Sequence, residues 1–180
     1  MPAITAMDGC IGLSMLVDRV SGMCIATSAW NDDQSMRAAD SSLRPMRGEA
    51  AKILGGEASV DEWEIVVLHR DHRTSDSTHV RCTWLRTDPG RVDKAIELFR
   101  SEVLSVAEGM NGFCSASLMV DRVAGRAVSS VTFDSRQAME ASREAATQLR
   151  SKVADLAGAE IEDVVEFEMA LAHLRVPELV

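Results

Sequence analysis

Few side chains in this sequence can move a proton near neutral pH. Histidine occurs only at positions 69, 72, 79 and 173, and imidazole is the group whose ordinary pKa suits a general base in that range. His69 and His173 end two related segments, Glu62-Trp63-Glu64-Ile65-Val66-Val67-Leu68-His69 and Glu166-Phe167-Glu168-Met169-Ala170-Leu171-Ala172-His173. Equivalent positions invite a paired site, and two solvent-facing histidines at strand ends explain the pattern as well. His69, His72 and His79 with Asp71 and Asp76 could be written as a metal cluster. Their spacing matches no recognised metal site, however, and the run HRDHRTSDST reads as a polar linker, so no metal is assigned. The glutamates at 62, 64, 166 and 168 alternate with Trp63 and Phe167. That alternation predicts a polar sheet face opposite the aromatic one, able to carry buried hydrogen bonds where two sheets meet.

A paired Asp-Arg is written twice, in MLVDRVSG (Met15 to Gly22) and LMVDRVAG (Leu118 to Gly125). Each copy joins two runs of period two. The aspartate suits the start of a turn, and the glycine suits a position with positive φ, so the motif reads as a hairpin loop and not as a doubled active site. Its value lies in register. A shift of 103 places aligns Gly9–Met36 with Gly112–Met139, with identity at nine of 28 positions. Such self-similarity marks an internal repeat.

The elements that must position any site follow from this register. In the second copy, His79–Arg86 is a strand pattern, and Asp88-Pro89 opens a helix carrying Ala95, Ile96, Phe99, Val103 and Val106 at helical spacing up to Gly109. Gly112–Val120 places Cys114, Ala116, Leu118 and Val120 on one strand face and Ser115 and Ser117 on the other. Arg126–Phe133 returns as a strand, and Asp134 or Ser135 caps a second helix with a stripe of Ala138, Ser142, Ala145, Leu149, Val153 and Leu156. Gly158 ends that helix, and Ile161–His173 is the last strand. The class is therefore α+β, a ferredoxin-like β-α-β-β-α-β unit with an antiparallel sheet. The first copy retains only β-β-α-β, and Pro45 is expected to break or kink its helix. The expected organisation is a truncated repeat over residues 1–70, a linker over 71–78 and a complete repeat over 79–175. The missing strand and helix predict an open edge, filled by a partner chain in a homodimer or by residues upstream of Met1.

Composition narrows the function classes. The 180 residues carry a net charge of −9 with 46% hydrophobic content, enough for a packed core and without the clustered cationic face that nucleic acid or an anionic membrane requires. No run approaches the apolar length of a membrane span, and the first residues show no basic, then apolar leader, so a cytoplasmic location is expected. Cys10, Cys24, Cys82 and Cys114 form no C-x-x-C and read as buried free thiols. The chain has no tyrosine and ten methionines, which removes a phenolic acid and supplies adaptable core filler.

The segments Asp88-Pro89-Gly90-Arg91-Val92-Asp93, Met110-Asn111-Gly112-Phe113 and SLMVDRVAGRAVSSVTFDSRQAMEAS (Ser117 to Ser142) resemble the antibiotic biosynthesis monooxygenase family of dimeric α/β-barrel proteins. The resemblance covers residues 79–173, with residues 9–69 as a second, truncated domain, giving a tandem pseudo-repeat. It implies a cleft between sheet and helices in which relatives oxidise polyketide-like or quinol-like aromatics with molecular oxygen and without a bound cofactor. Some relatives degrade haem. The histidine that family enzymes often carry in or after the second helix has no counterpart in Ser135–Leu156, and the first strand lacks the asparagine of haem-degrading relatives. Catalytic residues are accordingly unassigned. Trp84, with the equivalent pair Trp30 and Phe133, and with Phe99, are the candidates to line a pocket for a small aromatic molecule. Asn111 suits a turn, with a ligand-binding amide as the alternative. Two functions follow: a cofactor-independent monooxygenase-like protein, or a catalytically silent ligand-binding or structural barrel protein.

Overall fold

The computed structural model describes residues 2–72 and 77–180. The elements are α1 (Pro2–Thr5), β1 (Cys10–Val17), β2 (Cys24–Trp30), α2 (Asp33–Leu54), β3 (Glu64–Arg70), β4 (His79–Arg86), α3 (Val92–Leu98), α4 (Ser105–Ala107), β5 (Phe113–Asp121), β6 (Arg126–Phe133), α5 (Arg136–Ala141), α6 (Arg143–Ala157) and β7 (Glu160–Leu174). A 3-10 turn, Pro89–Arg91, leads into α3, and a π-helical turn, Phe99–Leu104, joins α3 to α4. After α1, which the sequence reading did not include, the element order is β-β-α-β and then β-α-β-β-α-β, as the sequence periods predict. The chain divides into two compact units, one of Met1–Met15, Ile25–Glu62 and Leu171–Val176, the other of Leu16–Cys24, Trp63–Ala170 and Pro177–Val180. Each unit draws on both of the stretches that align with each other in the sequence.

In the larger unit the strand order is β7-β4-β6-β5-β3, with every described pairing antiparallel. The β5 alternation is the expected one: Cys114, Ala116, Leu118 and Val120 are buried, and Ser115, Ser117 and Met119 are half-buried. The core joins this strand to Val66 and Val67 of β3 and to Val92, Ile96, Phe99, Leu104 and Ala107 of the first helical segment. Val106, expected on that inward stripe, is 43% exposed, because the wider π turn sets the buried Phe99 and Leu104 five positions apart and moves Val106 outward. Leu156 is likewise 45% exposed, and Ala157 is buried in its place. Here the cause is a joint at Ser142, where α5 ends and α6 begins, which resets the phase of the stripe. Glu62 and Trp63, read from sequence as strand residues, precede β3 instead. Strand β3 is the unit's edge, and it is covered by reciprocal backbone hydrogen bonds between Leu68 and Leu179, each 2.8 Å.

The smaller unit holds α1, most of β1 and β2, α2 and the end of β7, and the Arg175 N–H donates to the Ile11 carbonyl at 2.7 Å. Helix α2 starts at Asp32, whose carboxylate accepts the Ser35 N–H at 2.7 Å, and ends at Gly55 with φ 75°. It runs through Pro45 without a break, contrary to the expectation from sequence. Pro45 lies on the exposed side, where its ring meets water and the helix gives up a single backbone hydrogen bond.

Both copies of the Val-Asp-Arg-Val-x-Gly motif are hairpin turns. Asp121 accepts the N–H groups of Val123 and Ala124 at 3.1 and 2.9 Å, and Asp18 accepts that of Val20 at 2.9 Å. The Ala124 N–H above all holds the Asp121 carboxyl below the ordinary range of a carboxylate. Gly125 and Gly22 have φ of 65° and 78°. Their surroundings differ: a Cβ on Gly125 would lie 2.1 Å from the Thr87 carbonyl oxygen, whereas one on Gly22 meets nothing within 4 Å.

Gly22→Ala is therefore expected to cost only the left-handed backbone strain, roughly 1–2 kcal/mol, and Gly125→Ala to cost clearly more, because a backbone oxygen must move. Chemical denaturation of the two variants checks this, and equal losses would refute the role of the Thr87 contact. Pro45→Ala is expected to stabilise α2 by restoring the hydrogen bond, by about 1–3 kcal/mol, read as a higher unfolding temperature.

Candidate ligand cavity

Between the sheet and the helices of the larger unit lies a cavity of about 100 Å³. Its sheet wall comes from Arg81, Thr83 and Leu85 of β4, Leu118 of β5, and Ala127, Ser129, Val131 and Phe133 of β6. Its helix walls come from Ala95, Phe99, Val103 and Ala107 on one side and from Ala146, Leu149, Arg150, Val153, Ala154 and Ala157 on the other. The spacing explains the space. Both helical stripes recur at helical spacing with alanine at five of the ten positions, and a methyl group leaves room that a leucine would fill. The lining residues include no histidine, aspartate, glutamate, lysine or cysteine, so the walls offer no ordinary general base.

The polar end is built on Arg81, 4% exposed. Its Nε and Nη2 donate to Glu166 Oε1 at 3.0 and 2.8 Å, Nη1 donates to Ser142 Oγ at 2.9 Å, and Nη2 also donates to the Met139 carbonyl at 2.6 Å. The guanidinium lies 5.8 Å from the centre of the Phe133 ring. The register pairs Arg81 with Glu166 across β4 and β7, so the ion pair is a cross-strand neighbour contact. Arg143 Nη2 donates to the other oxygen, Glu166 Oε2, at 2.6 Å. Arg150 donates to the Thr147 hydroxyl at 3.0 Å, and burial, with the like charge of Arg81, pulls its pKa below the ordinary arginine value.

Of the residues singled out from sequence, Phe133 and Phe99 line this cavity and are 0% and 4% exposed. Trp84 does not. Strand β4 turns Arg81, Thr83 and Leu85 toward the cavity, and alternation puts Trp84 on the opposite face, where it meets Phe167 edge to face with ring centres 6.4 Å apart. Asn111 is exposed in the turn before β5. Trp30 ends β2 and donates its indole N–H to Ser28 Oγ at 3.0 Å. Arg81 and Arg150, the charged groups of the cavity, were not singled out. Parity along β4 puts Arg81 on one face with Thr83 and Leu85, and the pairing of His79 with Phe133 across the sheet marks that face as the cavity's.

The histidines do not converge on the cavity. His69 is half-buried on β3, stacked on Phe113 at 6.2 Å, with Nε2 3.0 Å from Glu108 and Nδ1 2.9 Å from Glu178. His173, its sequence counterpart, is exposed and falls in the smaller unit. His79 contacts the Ser77 carbonyl at 2.8 Å through Nδ1. His72 lies between Asp71, 3.0 Å from Nδ1, and Cys114 Sγ, 3.2 Å from Nε2. That line has the connectivity of a thiol triad, yet burial, then Asp134 and Asp71, push the Cys114 thiol up to about 11, so it stays protonated at neutral pH. Cys82 is pushed up to about 11 by burial, and all four cysteines are free thiols. Asp76, a member of the hypothetical metal cluster, lies outside the described residues, and among the described residues no three potential ligands come together as a metal site. Among them, too, no helix is long and apolar enough to cross a membrane.

No family model matches the chain. Among solved structures, an anthrone oxidase-like protein superposes with a TM-score of 0.70 over 99% of this chain and 85% of that one, at 12% identity. A ferredoxin-fold protein of Listeria monocytogenes related to antibiotic biosynthesis monooxygenases gives 0.53 over 94% and 84%, at 7% identity. A monooxygenase-like protein of Listeria innocua gives 0.57 over 94% and 84%, also at 7% identity. At these identities the likeness establishes the fold, which is α+β and that of monooxygenase-like ferredoxin-fold proteins. In sequence, the uncharacterized Mycobacterium tuberculosis proteins Rv2557 and Rv2558 are 53% and 52% identical over 180 and 181 aligned residues, spanning 100% of this chain and 80% and 77% of theirs. The chain therefore belongs to the family of Rv2557 and Rv2558, on a ferredoxin-like α+β fold.

Proposed function

We propose that the cavity of the larger unit binds a small aromatic molecule, and that the protein is a cofactor-independent monooxygenase-like enzyme. The observation that carries this reading is the cavity itself, an apolar space walled by Phe99 and Phe133 with two arginines at hand. The likeness to an anthrone oxidase-like protein over nearly the whole chain supports it. In such a reaction a ring methylene loses two hydrogens and becomes a carbonyl. One atom of dioxygen enters the product and the other leaves as water, and the electrons come from the substrate. Exclusion of water by the alanine and aromatic walls protects the electron-rich intermediate.

A second reading has its own support. The cavity walls carry no ordinary base, and a protein that binds without reacting needs none. The tandem repeat, with its first copy truncated, remains part of the proposal. It is supported by reciprocal ion pairs between equivalent residues: Arg122 of the second copy meets Glu64 of the first at 2.6 Å, and Arg19 of the first meets Glu168 of the second at 2.8 Å. A homodimer is also proposed, and the exposed Ile53, Leu54 and Val60 support it as apolar surface that association would cover.

Dioxygen uptake should be followed with a panel of single-ring hydroquinones and anthrones. Stoichiometric uptake is expected for at least one of them. It should fall at least tenfold in Ala146→Phe, which fills the cavity, and persist in Trp84→Phe, which alters only the opposite sheet face. Absence of uptake across the panel, with saturable binding retained, would establish the silent ligand-binding reading instead.

A further inference from the structure

Resting on the reading of the cavity as a ligand site, we infer that its ligand is an apolar monoanion and that Arg150 receives the charge. The polar end of the cavity holds more positive than negative charge in contact. Glu166 is the one carboxylate bonded there, and its two oxygens are taken, Oε1 by Arg81 and Oε2 by Arg143. Arg150 lines the same cavity, and its hydrogen-bond partner is the neutral hydroxyl of Thr147. Among the described residues no carboxylate is hydrogen-bonded to Arg150, the charge of Glu166 reaching it only at longer range, and a guanidinium at this apolar wall gains most from an anion that displaces water. Its planar fork fits the two oxygens of a carboxylate better than the single oxygen of a phenolate. The rest of the wall accepts the apolar body: Phe99, Leu118, Val131 and Phe133 give a ring its van der Waals contacts.

The absence of a wall base fits the same ligand. A substrate that arrives ionised needs no proton removed before it binds, and the arginines stabilise the charge it already carries.

Calorimetric titration of the intact protein with benzoate, 4-nitrophenolate and toluene tests this. Benzoate is expected to bind at least tenfold more tightly than toluene, with 4-nitrophenolate between them. In Arg150→Met the preference for benzoate over toluene should be lost, and Arg150→Lys should restore part of it. Arg136→Met, on the surface and paired with Glu140, controls for loss of net charge. If toluene and benzoate bind alike, or Arg150→Met leaves benzoate unaffected, the anion assignment is overturned and the cavity reading stands. If none of the three binds, both fall together.

Discussion

A guanidinium removed from water has to be neutralised and hydrogen-bonded by protein, and Arg81 meets that demand by tying together segments far apart in the chain. It engages Glu166 on β7, the Ser142 hydroxyl and the Met139 carbonyl. The energetic stake is asymmetric, because desolvation of the pair offsets much of its attraction, while removal of one partner strands the other at a cost of about 3–5 kcal/mol. The geometry of the helix layer follows from it. The carbonyl of Met139 accepts from Arg81 and from the Ser142 hydroxyl, and at that point the helical run divides into α5 and α6. The division turns the α6 stripe by one position, so that Ala146, Leu149, Arg150 and Val153 face the sheet. One buried charge thus sets both the joint and the wall.

The cavity is the complement of that wall. Alanines at 95, 107, 127, 146, 154 and 157 approach it from both helices and from the sheet, and packing at ordinary interior density would need larger groups at several of these places. A void of this kind costs stability unless a ligand fills it. Its retention next to a cluster of three arginines and one glutamate makes it chemically specific, apolar along its length and cationic at one end.

The parts of this architecture that depend on local pattern were legible in the sequence. The strands His79–Arg86 and Arg126–Phe133 are recovered to the residue, and the doubled turn was readable because Asp121, Gly125 and their counterparts do their work within the turn itself. What depends on partners across the fold was not. All four residues from Val80 to Thr83 are buried, so alternation along β4 distinguishes two faces without saying which one meets a cavity. Trp84 drew attention through its size, whereas pairing His79 with Phe133 in the sheet shows that the cavity face carries Arg81. Helix phase failed for a related reason. Periodicity assumes one uniform helix, and here a π turn and a joint each shift the count, which displaces Val106 and Leu156 from the stripe. Of the residues named from sequence for the pocket, Phe99 and Phe133 reach the cavity, and nothing local distinguishes them from Trp30 or Trp84.

The π-helical turn Phe99–Leu104 also bears on how this family can vary. A π turn holds one more residue than the α-helical turn it replaces, so it is an insertion absorbed inside an element whose two ends stay in place. Phe99 and Val103, two lining residues, sit within that turn. Gain or loss of a single codon there would exchange the side chains facing the cavity while β4, β5 and the turn between α4 and β5 kept their positions. The helix is thereby a place where length, and not only residue identity, can reshape the cavity wall.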